Sequence, residues 1–367
     1  MALFADDPSP RPQGRSRRDR IGWTAITVAV VIAVVFALLP SPYVIEQPGP
    51  VYDTLGVAEH DGEEIPLIEI PDEETFPTDG ELNLLTVTVL GRPGQTPNWL
   101  EVLGAWFDRT RSAVPVEAIF PPGLSDADRD AQNEAAMVDS QQDAIAAALV
   151  ELEYDFPREV TVAGILEDSP AAGTLVEGDV IAAVNGEPVH AVEELRAAVR
   201  ESGPDTPANL LVVRDGTEQT VMVTPVERDG SVVLGVGVRM HYEFPIDVEL
   251  QLDNVGGPSA GMMFALGIVD KLTPGAMTGG EIIAGTGTID SAGEVGAIGG
   301  IRQKLWGAED AGAEWFLAPA SNCDEVTGHV PDGIRVFAVS TIDEARTIVD
   351  AIGGGGDTDA FASCPAT

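Results

Sequence analysis

Residues 21 to 39, IGWTAITVAVVIAVVFALL, form one uncharged apolar run of nineteen residues. At about 1.5 Å per residue, a helix of that length spans close to the ~30 Å of a bilayer core. A cleavable export signal normally has a shorter apolar stretch followed by a small-x-small site. Here FALLPSPY follows, so the run reads as an uncleaved anchor. Arg11, Arg15, Arg17, Arg18 and Arg20 crowd its N-terminal side, and the positive-inside tendency keeps that flank in the cytoplasm. The expectation is a single-pass cell-membrane protein, with residues 1–20 cytoplasmic, 21–39 in the bilayer and everything after Pro40 outside.

Charge narrows the partners. Sixty acidic residues against twenty basic ones give a net charge of −40 over 367 residues. The first twenty residues carry a net of +2, so the exported part carries −42. Such a surface repels phosphate backbones, which excludes nucleic acid as a partner. The 44% apolar content is enough for the cores of two or three domains. Basic residues are almost all arginine, with Lys271 and Lys304 the only lysines. Cys323 and Cys364 both lie in the exported part, where the compartment permits a single disulfide. Two unrelated thiols are the other reading.

From Pro40 to Gly56 the Pro- and Gly-rich sequence suits an extended stalk or entry strand. Residues 81–90, ELNLLTVTVL, and Ala113 to Phe120 read as strands. The Pro-free, Ala-rich stretch from Ser125 to Leu152 reads as a helix. A second unit occupies 158–226. In it VTVAGIL is a strand, VIAAVNG a strand closed by the Asn185-Gly186 turn, and Val192, Leu195 and Val199 a helix stripe. Strands around LLVVRD and TVMVTPV complete it. This order, with SPAAGTLVEGDVIAAVNGEPV followed by ELRAAV, resembles a PDZ domain. The resemblance implies that an extended peptide, usually a chain terminus, is held as an added strand beside that helix.

The third unit, ending near Ile352, alternates strands and helices and so predicts an α/β domain. FPIDVELQL is a strand, Ser259 to Lys271 a helix, EIIAGTGTI a strand and Arg302 to Ala311 a helix; WFLAPA and IRVFAVS are buried strands. Residues 353–367, opening on four glycines, read as a tail.

Within this unit Gly256-Gly257-Pro258-Ser259-Ala260-Gly261 sits at a strand-to-helix junction. A serine there can be a plain helix N-cap. It can also be a nucleophile whose oxyanion is held by backbone N–H groups that the helix leaves unused, with Gly257, Ala260 and Gly261 leaving room for a substrate backbone. The base is the harder question, because the four histidines are isolated. Lys271 lies twelve residues along the same helix, about 18 Å away, and cannot reach. Lys304 has apolar neighbours, Ile298, Ile301, Leu305 and Trp306, that can strip it of water, lower its pKa and make the amine a base.

The landmarks GPSAG, G-x-I, GGI-x-x-K and AG-x-x-x-x-x-x-P, over residues 244 to 319, resemble in order and spacing the proteolytic domain of Lon proteases. That resemblance implies a Ser-Lys dyad, with Ser259 as nucleophile, Lys304 as general base and Thr286 as a hydroxyl near the lysine. It implies neither metal nor cofactor. Lon-type sequences often carry an acidic residue three positions before the serine; Gly256 stands there, and Asp253 or Asn254 is the nearest substitute. No G-x-x-x-x-G-K-[ST] phosphate loop occurs, so no ATPase is expected within these residues. With the anchor and the PDZ-like segment, the chain is similar to membrane-anchored, PDZ-containing Lon-like proteases. Some 33 residues separate the PDZ-like unit from Ser259, too few for the front of a Lon domain. Residues 40–157 are therefore expected to hold a stalk and the N-terminal part of the protease fold, with 227–352 as its remainder. The competing layout is a truncated protease domain beside a separate N-terminal one.

The expected activity is ATP-independent cleavage of exported or membrane-associated proteins and peptides. The lipid bilayer is a partner through the N-terminal helix, and Lon-type domains resemble ring formers, which leaves a homo-oligomer open. Two rivals remain. One is a catalytically idle PDZ scaffold for exported chain ends. The other is an α/β-hydrolase, since G-P-S-A-G also fits G-x-S-x-G, although only His329 is available downstream and a loop precedes the serine.

Overall fold

The computed structural model describes residues 17–60, 63–123, 125–228, 230–252 and 255–365. Arg11 and Arg15 of the basic flank, and Asp253 and Asn254, lie outside the described residues. The chain divides into two compact units, one of residues up to 47 with 89–122, the other of 48–88 with 123–367.

In the smaller unit α1 (Arg17–Leu38) holds the apolar run and stops just ahead of Pro40, as expected where proline restricts the preceding residue. Its 18 residues Ile21–Leu38 are long and apolar enough to cross a membrane, and none is buried. β1 (Tyr43–Asp53) follows, and its first residues pair antiparallel with β3 (Ser112–Pro115), Tyr43 opposite Pro115. The strand expected over Ala113–Phe120 ends at Pro115, and a four-residue helix, Val116–Ile119, takes over. Proline's fixed φ and missing N–H suit a helix start better than a ladder. Between these strands, β2 (Glu81–Leu90) leads to α2 (Trp99–Phe107), capped reciprocally by Asn98 and Glu101.

The larger unit contains two many-stranded sheets among the described residues, beside several two-stranded ones. One aligns β11 (Arg335–Val339), β10 (Trp315–Pro319), β9 (Ile282–Gly285) and β2, in that order, followed by β1. β9 runs parallel to both neighbours, Ile282 opposite Glu81 and Ile283 opposite Trp315. Strands on either side of the PDZ-like segment therefore lie side by side in one sheet. Packed with it are α3 (Asp126–Glu151), whose Ser125 cap accepts from the Asp128 N–H, α5 (Gly261–Leu272), α6 (Ile301–Asp310) and α7 (Ile342–Gly353). Residues 261–270 of α5 are all buried, so this helix is enclosed on every side. Ala144–Leu149 of α3, Met262–Val269 of α5 and Phe337 share its core.

The second sheet has the order β7 (Thr217–Val223), β6 (Ala208–Arg214), β5 (Val180–Val184), β4 (Arg158–Ile165), β8 (Val236–Tyr242), with α4 (Val192–Ser202) against it. Asn185 and Gly186 both have positive φ, 51° and 93°, which closes the turn after β5. The sheet takes one more strand beyond Val226, the expected end of the unit: β8 pairs with β4 from Val236 opposite Ile165 to Tyr242 opposite Arg158.

Three further expectations are corrected. FPIDVELQL is not a continuous strand: only Glu249–Leu250 pair, with Ile68–Glu69. Ile246, Val248 and Leu252 satisfy the alternation by packing into the core without a ladder. EIIAGTGTI breaks after Gly285, and Thr288–Ile289 pair instead with Val295–Gly296. The described residues past 353, up to 365, are docked rather than loose. The Ala338 N–H donates to Ala362, the Cys364 N–H donates to Val336, and Phe361 packs edge-on against Phe337. A disulfide joins Cys323 to Cys364.

Candidate active site

Ser259 lies in the turn ahead of α5 and is half-exposed. The turn begins at Gly257, whose φ of 91° is one that side chains rarely adopt. α3 grips it twice: the Ser140 hydroxyl donates to the Pro258 carbonyl at 3.0 Å, and the Gly257 N–H donates to the Asn133 carbonyl at 3.4 Å. On the other side, the Ser259 carbonyl accepts from the Gly287 N–H at 3.0 Å and from the Thr286 hydroxyl at 2.9 Å.

Lys304 reaches this turn from the first turn of α6. Its amine stands 2.8 Å from Ser259 Oγ and 2.8 Å from Thr286 Oγ1. α6 starts at Gly300, with φ 69°, where a Cβ would come within 2.7 Å of Val87. The lysine side chain is 2% exposed, and burial alone lowers its pKa to about 7. No salt bridge to it exists among the described residues. Thr286, 1% exposed, commits its O–H to the Ser259 carbonyl, so its oxygen accepts an N–H from the amine. In the neutral amine this leaves the nitrogen lone pair for the Ser259 O–H. That is the geometry of a general base beside a nucleophile.

Some of the N–H groups at this turn are already committed. Gly261 and Met262 already donate, to Pro258 and Gly287. Among the described residues, the Ser259 and Ala260 N–H groups, beside the hydroxyl, donate to no backbone carbonyl. The room expected at Ala260 and Gly261 is absent. Ala260 is buried in the core, and a Cβ at Gly261 would meet Ser140 Oγ at 2.9 Å and Ile289 at 3.0 Å. Only Gly257 has open space beside it. Lys271, at the far end of α5, faces Asp53 and Asp270. An α/β-hydrolase elbow finds no support, because the nearest preceding strand ends at Leu250.

Next to this turn lies a cavity of about 520 Å³, walled by Asp143 of α3, Arg196 of α4, Val238 and Tyr242 of β8, Pro258 and Asp290. A groove of about 430 Å³ between Leu195 and Val199 of α4 and Val236 and Val238 of β8 adjoins it, Arg196 and Val238 lining both. β8 is the last strand of its sheet, so its outer edge faces this trough. The two regions are fastened by the Tyr242 hydroxyl, which donates to Asp143 at 2.5 Å. Burial, first, pushes the Asp143 carboxyl up to about 6 against the effect of that bond, while burial and Asp143 push the Tyr242 phenol up. Sequence reasoning missed Ser140, Asn133, Asp143 and Tyr242, whose contacts are distant in sequence and leave no local pattern.

Two protein families match parts of this chain. Residues 135–224 match the PDZ domain family, and residues 250–351 match the Lon protease (S16) C-terminal proteolytic domain. Similar proteins include Lon protease 1 of Sorangium cellulosum, 38% identical over 92 residues, which are 24% of this chain and 11% of that protein. Lon protease 2 of the same organism is 33% identical over 150 residues, 38% of this chain and 18% of that protein. Lon protease 1 of Bacillus subtilis is 31% identical over 116 residues, 30% and 15% of the two chains. The chain thus spans 11 to 18% of the length of these relatives. Among solved structures, the PDZ domain of an SdrC-like protein from Listeria innocua aligns at 20% identity with a TM-score of 0.21, covering 22% of this chain and 92% of that one. The chain is a mixed α/β protein that carries a PDZ domain and a Lon-type C-terminal proteolytic domain.

Proposed function

We propose that the chain is an ATP-independent serine endopeptidase in which Ser259 attacks the scissile carbonyl and Lys304 is the general base. The observation that carries this reading is the buried Lys304 amine 2.8 Å from Ser259 Oγ. In the first step the Ser259 proton passes to the neutral amine as Oγ bonds to the carbonyl carbon. The oxyanion is held by the Ser259 and Ala260 N–H groups. The ammonium then returns the proton to the leaving amine, and water repeats the sequence to free the acyl group. Thr286 holds the amine in line throughout.

On this reading residues 158–242 are a PDZ module set into the protease fold. An extended substrate adds to the outer edge of β8, beside α4, and continues toward Ser259. The apolar α1 supports a membrane anchor with its basic flank in the cytoplasm and the catalytic part outside, so that exported or membrane-associated proteins are the substrates. The test is incubation of an unfolded exported protein with wild-type and Ser259→Ala chains in vesicles without nucleotide. Cleavage by the wild type alone is expected, and equal cleavage by both would overturn the proposal.

A further inference from the structure

The helix α2, WLEVLGAWF, has an apolar face that the described residues of its own unit leave largely exposed, Trp106 meeting the Tyr43 ring edge-on at 6.4 Å. Leu100, Leu103, Trp106 and Phe107 are 41%, 45%, 58% and 85% exposed, while Val102 and Ala105 on the other side are buried. The spacing of three, three and four residues places the exposed set along one side of the helix. Four large apolar side chains in nine residues form a contiguous patch of the kind that soluble surfaces rarely show without a partner.

The position of α2 identifies the partner. Its N-terminus is tied to the chain just as α1 ends. Pro40 bridges Asn98, and the Ser41 N–H and hydroxyl both donate to the Pro97 carbonyl, at 2.9 and 2.8 Å. The Phe36 ring, in the last turn of α1, meets the Trp99 ring edge-on at 6.5 Å. If α1 crosses the bilayer, the first turn of α2 is fixed at the depth where α1 leaves it. Aromatic and leucine side chains on a short amphipathic helix suit that boundary layer. Polar residues, Asp108 to Arg111, follow directly.

We propose that α2 lies in the headgroup layer of the membrane, with Leu100, Leu103, Trp106 and Phe107 in lipid, so that the chain is held by a flat helix as well as by a span. This rests on reading α1 as a membrane anchor. The continuous apolar surface from α1 into α2 favours lipid over a second copy of the chain as the occupant.

The test uses the full chain in phosphatidylcholine vesicles whose acyl chains are brominated near the headgroup. The Trp106 emission is the difference between a Trp23→Phe chain and a Trp23→Phe/Trp106→Phe chain. Bromine is expected to quench this emission by about twofold or more, as for an indole seated at the interface. In a Trp23→Phe/Leu103→Glu/Phe107→Glu chain with unchanged circular dichroism, quenching is expected to be lost. Unquenched, solvated Trp106 emission in chains that float with the vesicles would overturn the proposal and leave the anchor reading intact. Unquenched but blue-shifted emission that depends on protein density would also overturn it, in favour of a second copy. Failure of the chains to float would overturn both.

Discussion

The Ser140 hydroxyl on α3 donates a 3.0 Å hydrogen bond to the Pro258 carbonyl, across 118 residues of sequence, and so fixes the turn that presents Ser259. A bond of this kind contributes about 0.5–1.5 kcal/mol. If Ser140→Ala loses that positioning in the transition state, kcat is expected to fall about two- to tenfold with KM nearly unchanged. Steady-state kinetics on a short peptide would check this. A rise in KM at constant kcat would mean that Ser140 shapes substrate binding instead.

Burial of Lys304 costs the fold stability at neutral pH. Its folded pKa of about 7 lies below the ordinary 10.5, because burial opposes the charged form. Between these values the unfolded chain holds the extra proton, so stability is expected to rise with pH from about 7 to 10.5. The full effect is on the order of 5 kcal/mol, less what the bonds to Ser259 and Thr286 return. Lys304→Met should be inactive, more stable at neutral pH, and without that slope. Denaturant unfolding at several pH values measures it.

The carboxylate at the seam has the opposite dependence. Asp143 is raised from 3.8 to about 6 chiefly by burial, so between those values the folded state holds more protons than the unfolded one. Stability from this group is therefore fully present below about pH 4 and is lost as pH rises through 6, with a ceiling of about 3 kcal/mol. Asp143→Asn is expected to remove the decline between pH 4 and 6 while keeping a hydrogen bond to Tyr242. An unchanged pH profile in thermal unfolding would contradict the assignment.

Much of this molecule is legible locally. ELNLLTVTVL became β2 because its period-two pattern and β-branched residues have one solution, and the Pro-free, Ala-rich stretch from Ser125 became α3. The Ser259–Lys304 pair is what the resemblance to Lon proteolytic domains implies, and the apolar neighbours of Lys304 point to the same lysine. What stayed hidden depends on distant partners. FPIDVELQL alternates like a strand, yet no chain lies alongside most of it. β8 belongs to the PDZ sheet only because β4 offers an edge some seventy residues earlier. The glycine-rich end reads as a tail because two of its anchors, Val336 and Phe337, leave no local pattern, while the third, Cys323, is the partner expected for Cys364.

The Cys323–Cys364 disulfide spans 41 residues. In the chain-entropy view such a loop contributes about 4 kcal/mol. Reduction, or paired replacement by serine, is expected to lower stability by a few kcal/mol and free residues past 353 to exchange amide hydrogens faster. Peptide activity should change little, since neither cysteine contacts Ser259 or Lys304. Hydrogen exchange of residues 357–365 with and without reductant checks this.

The most direct measurement is the rate at which a fluorophosphonate modifies Ser259, followed by mass spectrometry against pH. The wild-type rate is expected to rise with a midpoint near the Lys304 pKa of about 7 and level off above it, while Lys304→Met and Lys304→Arg chains stay unmodified. Modification of Ser259 at an undiminished rate in the Lys304→Met chain would contradict the dyad.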